Sequence, residues 1–276
     1  MADKKNNAKK RVITGLTLGP LLILLLYYRG WYLGTVLVAA VLICIYEEYK
    51  ALKTAGYDPA SIATWIGSVV YLPLTLLYPE KNYITPVFVL VIILQVIIVI
   101  SRPKPSFLDI AMSILPLITV ALPGMCLISF LTIEDVPTQV LLIVGTFTIS
   151  MICDIFAYEF GSRFGKTPFY TTISPHKTVE GAVGGIIGGI GGFMLTGYLI
   201  YISFGVLVFP SWEMFVIGLV GAIVSQIGDL YASLLKRHCG IKDFGNLFPG
   251  HGGMMDRMDS VLFVAAYLFM IKVLVF

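Results

Sequence analysis

Nine apolar windows follow one another along the 276-residue chain, near 12–28, 31–49, 61–78, 84–100, 107–131, 139–160, 180–204, 212–235 and 257–276. Each is bounded by charges, prolines or turn residues. A helix needs about 20 mostly apolar residues to cross a bilayer. In hydrocarbon every backbone polar group must be paired within the segment, so runs of this length specify helices. The expected fold is therefore all-α and polytopic, with about nine transmembrane helices. With 58% hydrophobic residues and only 13% charged ones, the chain lacks the roughly one-quarter charged share that coats a soluble globule. Intrinsic disorder is excluded by the same balance. A net charge of +3 gives no electrostatic support for binding nucleic acid.

The positive-inside rule orients the windows. With a cytoplasmic N-terminus and an external C-terminus, the cytoplasmic side collects Lys4, Lys5, Lys9, Lys10, Arg11, Lys50, Lys53, Arg102, Lys104, Arg163, Lys166, Lys177, Lys236, Arg237, Lys242 and Arg257. Only Arg29, Lys81 and Lys272 fall outside. The first window has the basic flank and apolar run of a signal peptide but no small-residue cleavage site after it, so it is expected to be retained as a helix. Cys44, Cys126, Cys153 and Cys239 are scattered singly, without metal-site or disulfide spacing, and read as small apolar fillers.

Two halves differ in character. Residues 1–138 form an expected scaffold of about five helices whose few charges lie at span ends. Residues 139–276 form an expected catalytic region of about four helices joined by cytoplasmic loops 161–179 and 236–256. Here Asp154, Glu159, Glu180, Asp229, Asp256 and Asp259 sit in or at the cytoplasmic ends of spans. An ionisable group near hydrocarbon costs about 2.5–3.5 kcal/mol even on the lenient insertion scale. Such a set of carboxylates calls for partners, and a bound cation is the direct one.

On a helix, Asp229, Ser233 and Lys236 share one face at i, i+4 and i+7, with Arg237 beside them. Asp256 and Asp259, at i and i+3, open the last window. Between them, residues 240–253 hold Gly240, Gly245, Gly250, Gly252 and Gly253. That glycine density lets backbone amides approach an anion, and Lys236, Arg237, Lys242 and Arg257 flank it. The loop reads as a phosphate cradle rather than a linker. Acids facing a basic loop suggest a hard cation such as magnesium, held by few protein oxygens and by substrate phosphates. Residues 181–192 repeat small side chains every four positions, which allows two helix backbones to touch. The neighbour is either a helix of the same chain or a second copy in a homodimer.

The stretch 233–259, SLLKRHCGIKDFGNLFPGHGGMMDRMD, resembles the signature of the phosphatidate cytidylyltransferases, also called CDP-diacylglycerol synthases. The matching positions are Ser233, Lys236, Arg237, Lys242, Asp243, Gly245, Pro249, His251, Gly252, Gly253, Asp256, Arg257 and Asp259. A second stretch, Asp154 to Gly185, is similar to the family's other polar region. It departs at Val179, where many relatives carry Trp. The first 138 residues add only hydropathy.

The resemblance implies magnesium-dependent reaction of CTP with phosphatidate to give CDP-diacylglycerol and pyrophosphate, in phospholipid biosynthesis at the cytoplasmic face of the inner membrane. A second cation beside the magnesium is left open. Under it Asp229, Asp256 and Asp259 hold metal, with Lys236, Asp256 and Asp259 as the catalytic set. Lys236, Arg237, Lys242 and Arg257 neutralise phosphates, with Ser233 on the same helix face. Lys166, Ser174 and Lys177 bind nucleotide or lipid headgroup, while Glu180 ties their loop down. A phosphate nucleophile is already ionised near neutral pH, so His251 reads as a phosphate or orienting contact ahead of a base.

A cation transporter is the main alternative from another class, since buried acids and glycine-interrupted helices also mark ion paths. It calls for acids at mid-membrane and a repeated half, whereas the acids here cluster at helix ends and no repeat is visible. A different membrane nucleotide-lipid transferase, such as a polyprenyl-phosphate glycosyltransferase or a CDP-alcohol phosphotransferase, is the other. A CDP-alcohol phosphotransferase carries a string of aspartates on one helix that this chain lacks.

Overall fold

A computed structural model describes residues 30–169, 174, 177–248 and 252–275. The expected span at 12–28 lies outside these residues, as do Pro249 and His251. Among the described residues there is no strand. The helices are α1 (Gly30–Thr54), α2 (Ile62–Leu77), α3 (Ile84–Ile100), α4 (Phe107–Thr132), α5 (Val136–Phe164), α6 (Val179–Phe204), α7 (Ser211–His238) and α8 (Met255–Val275). Six of them, α1 and α4 to α8, are long and apolar enough to cross a membrane. Helices α2 and α3 have 16 and 17 residues, a rise of about 25 Å at 1.5 Å per residue.

The chain forms two compact units. The first comprises the described parts of residues 30–131 and Cys239–Met258, the second Thr132–His238 and the described parts of Asp259–Phe276.

In the first unit the usual distribution of polarity is inverted. On α3, Leu90, Ile93 and Ile97 are exposed, whereas Gln95 is fully buried. That is the arrangement expected where the surrounding solvent is hydrocarbon. The Gln95 amide lies within hydrogen-bond distance of the Tyr49 hydroxyl (3.0 Å), the Thr64 hydroxyl (2.6 Å) and the Ser113 carbonyl (2.9 Å). Tyr49 also donates to that carbonyl at 2.7 Å. One polar knot thus ties α1, α2, α3 and α4 together. Helix α4 widens to a π-helix over Leu117–Ala121, flanked by Pro116 and Pro123. Neither proline has an N–H to continue the regular ladder, and the looser turn places Thr119 to donate to the buried Glu48 carboxylate at 2.9 Å.

The second unit rests on glycine. Along α6, Gly184, Gly188 and Gly192 abut α5. A Cβ at Gly188 would stand 2.6 Å from Cβ of Phe156 and 2.8 Å from the Ile152 carbonyl. Gly189 faces α7, where its Cβ would stand 2.6 Å from that of Ala222. The small-residue stripe therefore packs against helices of the same chain. Helix α7 meets α8 through Gly228, against the Asp259 carbonyl and Phe263. Thr178 caps α6 by accepting from the Gly181 amide at 3.1 Å.

Candidate active site

Two groups of polar side chains stand out, one in each unit. In the second unit a cleft of about 480 Å³ lies between the C-terminal turns of α5, the N-terminus of α6 and α7. Asp154, Tyr158, Phe169, Lys177, Gln226 and Asp229 line it. Lys177 and Asp229, both expected at the site, meet there as an ion pair with Nζ to Oδ2 at 2.6 Å. Gln226 fixes one wall by donating to the Ala182 carbonyl at 2.9 Å.

Two links fold the loop after α5 back toward this cleft. The Phe169 amide donates to the Lys177 carbonyl at 2.8 Å, and Val179 donates to Thr167 at 2.9 Å. Glu180 anchors the same loop. Its carboxylate accepts from the amides of Lys166 (3.1 Å) and Thr167 (3.1 Å) and from the Thr167 hydroxyl (3.0 Å). The Lys166 side chain is exposed. Ser174 is half-buried, and its carbonyl accepts from the Lys177 amide at 3.2 Å.

Helix α7 runs to His238, so Asp229, Ser233 and Lys236 are helical, as their spacing requires. All three are half-buried, and Arg237 is exposed. Asp259 is 6% exposed, and its Oδ1 accepts from the Ser260 amide at 2.7 Å.

In the first unit the glycine-rich segment closes on two carboxylates. Asp256 Oδ2 accepts from the amides of Phe244 and Gly253, each at 2.9 Å. Gly252 sits at φ +80°, and a Cβ there would stand 2.8 Å from the same oxygen. Glycine is needed at that position on both counts. The other carboxylate was not expected. Glu47 of α1 is 4% exposed and accepts from the amides of Met254 (3.2 Å) and Met255 (2.8 Å). The expectation that charges of the first half lie only at span ends fails for Glu47 and Glu48, because α1 continues to Thr54 and buries both. The signal in the sequence is the pair of adjacent glutamates within the last three residues of the window 31–49, expensive near hydrocarbon unless paired. Lys242 and Arg257 are exposed on this segment.

Burial pushes the Cys239 thiol above its ordinary pKa, and the nearby Glu48 carboxylate pushes it in the same direction. Among the described residues no group of three or more His, Cys, Asp or Glu side chains gathers as a metal cage. Magnesium does not require one, since it is typically held by one or two carboxylates plus phosphates and water. Asp229 and Asp259 in the second unit and Asp256 in the first each carry hard oxygens of that kind.

Residues 9–275 match the model of the cytidylyltransferase family. The chain belongs to that family and is a nucleotidyltransferase. It is 31% identical over 277 residues to a phosphatidate cytidylyltransferase of Synechocystis sp., with 91% of each chain covered. It is 40% identical over 150 residues to one of Aquifex aeolicus, covering 54% of this chain and 53% of the relative. A third, from Staphylococcus saprophyticus, is 36% identical over 171 residues, or 62% of each chain.

Proposed function

We propose that this chain catalyses CTP plus phosphatidate to CDP-diacylglycerol plus pyrophosphate. The observation that carries the reading is the 31% identity, across 91% of both chains, to a relative named for that activity. The phosphate oxygen of the lipid forms a bond to the α-phosphorus of CTP. The bond from that phosphorus to the bridging oxygen breaks in line, and pyrophosphate departs with the electron pair. An ionised phosphate needs no strong base, so the protein's task is positioning and charge neutralisation.

Lys177 brings a cationic group to the cleft beside Asp229, and Lys166 and Ser174, on the loop that Glu180 anchors, are further contacts to nucleotide or lipid headgroup. Lys236, Arg237, Lys242 and Arg257 neutralise phosphate charge, with Ser233 orienting it. His251 is a phosphate contact on the same segment. Asp229, Asp256 and Asp259 would hold magnesium, which supplies Lewis-acid neutralisation of phosphate oxygens when bound.

The reaction is placed at the cytoplasmic face of a bacterial inner membrane. Nine spans, including α2, α3 and the window 12–28, then leave the N-terminus cytoplasmic and the C-terminus external. The distribution of lysine and arginine supports that orientation. Residues 1–138 act as scaffold and 139–276 carry the chemistry. Purified protein in detergent should release pyrophosphate from CTP only when phosphatidate and magnesium are both present. Release without phosphatidate, or none with all three components, would overturn the proposal.

A further inference from the structure

Glu47 has no place in the site as read from the sequence, yet it holds the segment that bears Asp256. Its two oxygens accept from Met254 and Met255, at 3.2 and 2.8 Å. These are amides at the start of α8, which have no partner within the helix. A negative charge is favoured there. Gly245 and Gly253 press their backbones on the same carboxyl, so that a Cβ at either would overlap it. Gly253 in turn donates to Asp256 Oδ2 at 2.9 Å, as does Phe244. The chain of contacts runs from Glu47, through Gly253 and the first amides of α8, to Asp256.

We infer that Glu47 is a positioning residue for the reaction: it sets the glycine-rich segment and the first turn of α8, and through them fixes where the Asp256 carboxylate stands. The inference rests on the proposed activity only for its kinetic consequence. Glu47 touches no substrate and acts through Asp256. Glutamine at this position keeps the volume and one accepting oxygen, but it turns an N–H₂ toward a backbone N–H. The pairing at Met254 or Met255 is then lost while the space between the glycines stays filled.

The experiment uses the full chain in detergent with Glu47→Gln, Glu47→Ala, Gly253→Ala and the Glu47→Ala/Gly253→Ala double variant. Amide hydrogen exchange of the peptide spanning Met254 and Met255 should quicken in Glu47→Gln. Turnover in that variant should fall by about tenfold to a hundredfold, as misplacement of a reacting group does, while half-saturation for CTP changes little. Gly253→Ala should lose activity by collision with Glu47. In the Glu47→Ala background the three atoms nearest the added methyl are gone, so the double variant should be no worse than Glu47→Ala alone.

Additive losses, or unchanged exchange with wild-type kinetics in Glu47→Gln, would overturn the inference. So would a lowered unfolding temperature with turnover intact, which marks a purely structural acid. Wild-type protein that releases no pyrophosphate under any condition would instead defeat the proposed activity, leaving the exchange measurement to judge Glu47.

Discussion

Lys177 Nζ stands 2.6 Å from Asp229 Oδ2, joining the loop before α6 to the cleft face of α7. With side chains 26% and 33% exposed, such a pair contributes about 1 kcal/mol or less to stability. Its weight is therefore expected in the chemistry. Asp229→Asn and Lys177→Met should each leave the unfolding temperature within a few degrees and lower turnover by about a hundredfold or more. The exchanged pair, Asp229→Lys with Lys177→Asp, should refold the cleft without restoring turnover. Restored pyrophosphate release in the exchanged variant would reduce the pair to a structural link.

Asp256 is asked to do two things, and two substitutions separate them. Asn keeps an oxygen that can accept from Phe244 and Gly253, so Asp256→Asn should fold normally and lose turnover at every magnesium concentration. Asp256→Ala removes the acceptor altogether. Leaving part-buried amides unpaired costs about 1–3 kcal/mol, so this variant should also unfold at a lower temperature. Near-normal pyrophosphate release by Asp256→Asn at saturating magnesium would remove Asp256 from the metal site.

The glycines of α6 are not equivalent. Gly188→Ala drives a methyl into Phe156 and the Ile152 carbonyl, and overpacking of this kind costs about 1–3 kcal/mol. Gly191 has nothing within 4 Å of a built Cβ. Gly191→Ala should leave stability unchanged or raise it by up to about 1 kcal/mol. Thermal unfolding of both variants in the same detergent checks the contrast, and equal losses would contradict the contact between α5 and α6.

All four cysteines are buried, and only a thiolate reacts readily. With its pKa raised, Cys239 carries less thiolate at any given pH, so it should resist a membrane-impermeant maleimide at pH 7 and react faster as the pH rises. The native chain is then a quiet background for topology. Single cysteines replacing the exposed Ser162 and Asn246 should label only when the cytoplasmic face is opened. Labelling of either from outside intact cells would reverse the proposed orientation.

Helix positions were readable because proline, glycine and charge interrupt the apolar runs. The window expected at 84–100 is the helix Ile84–Ile100, and each of the other seven windows after the first overlaps one helix, with α1 running five residues past its window to Thr54. Spacing likewise put Asp229, Ser233 and Lys236 on one helix. Pairings across the chain were another matter. Lys177 and Asp229 each carry their own signal in the sequence, but nothing local joins a loop lysine to an aspartate two helices away. The role of Glu47 is invisible locally because its partners lie 207 and 208 residues distant, and an acid near a helix end looks like an interfacial charge. The alternatives for the glycine stripe were open for the same reason. A repeat of small residues says that backbones approach, and only the side chains opposite say whose.

The return of Cys239–Met258 to the first unit limits how such a protein can be taken apart and recombined. A chimera that joined the first 131 residues of one relative to the remainder of another would graft the glycine-rich segment onto a foreign α1. The graft would succeed only where the donor of α1 supplies a carboxylate shaped to Gly245 and Gly253. Under the role inferred for Glu47, α1 and the glycine-rich segment have to be exchanged as one piece, although Glu47 and Met254 lie 207 residues apart.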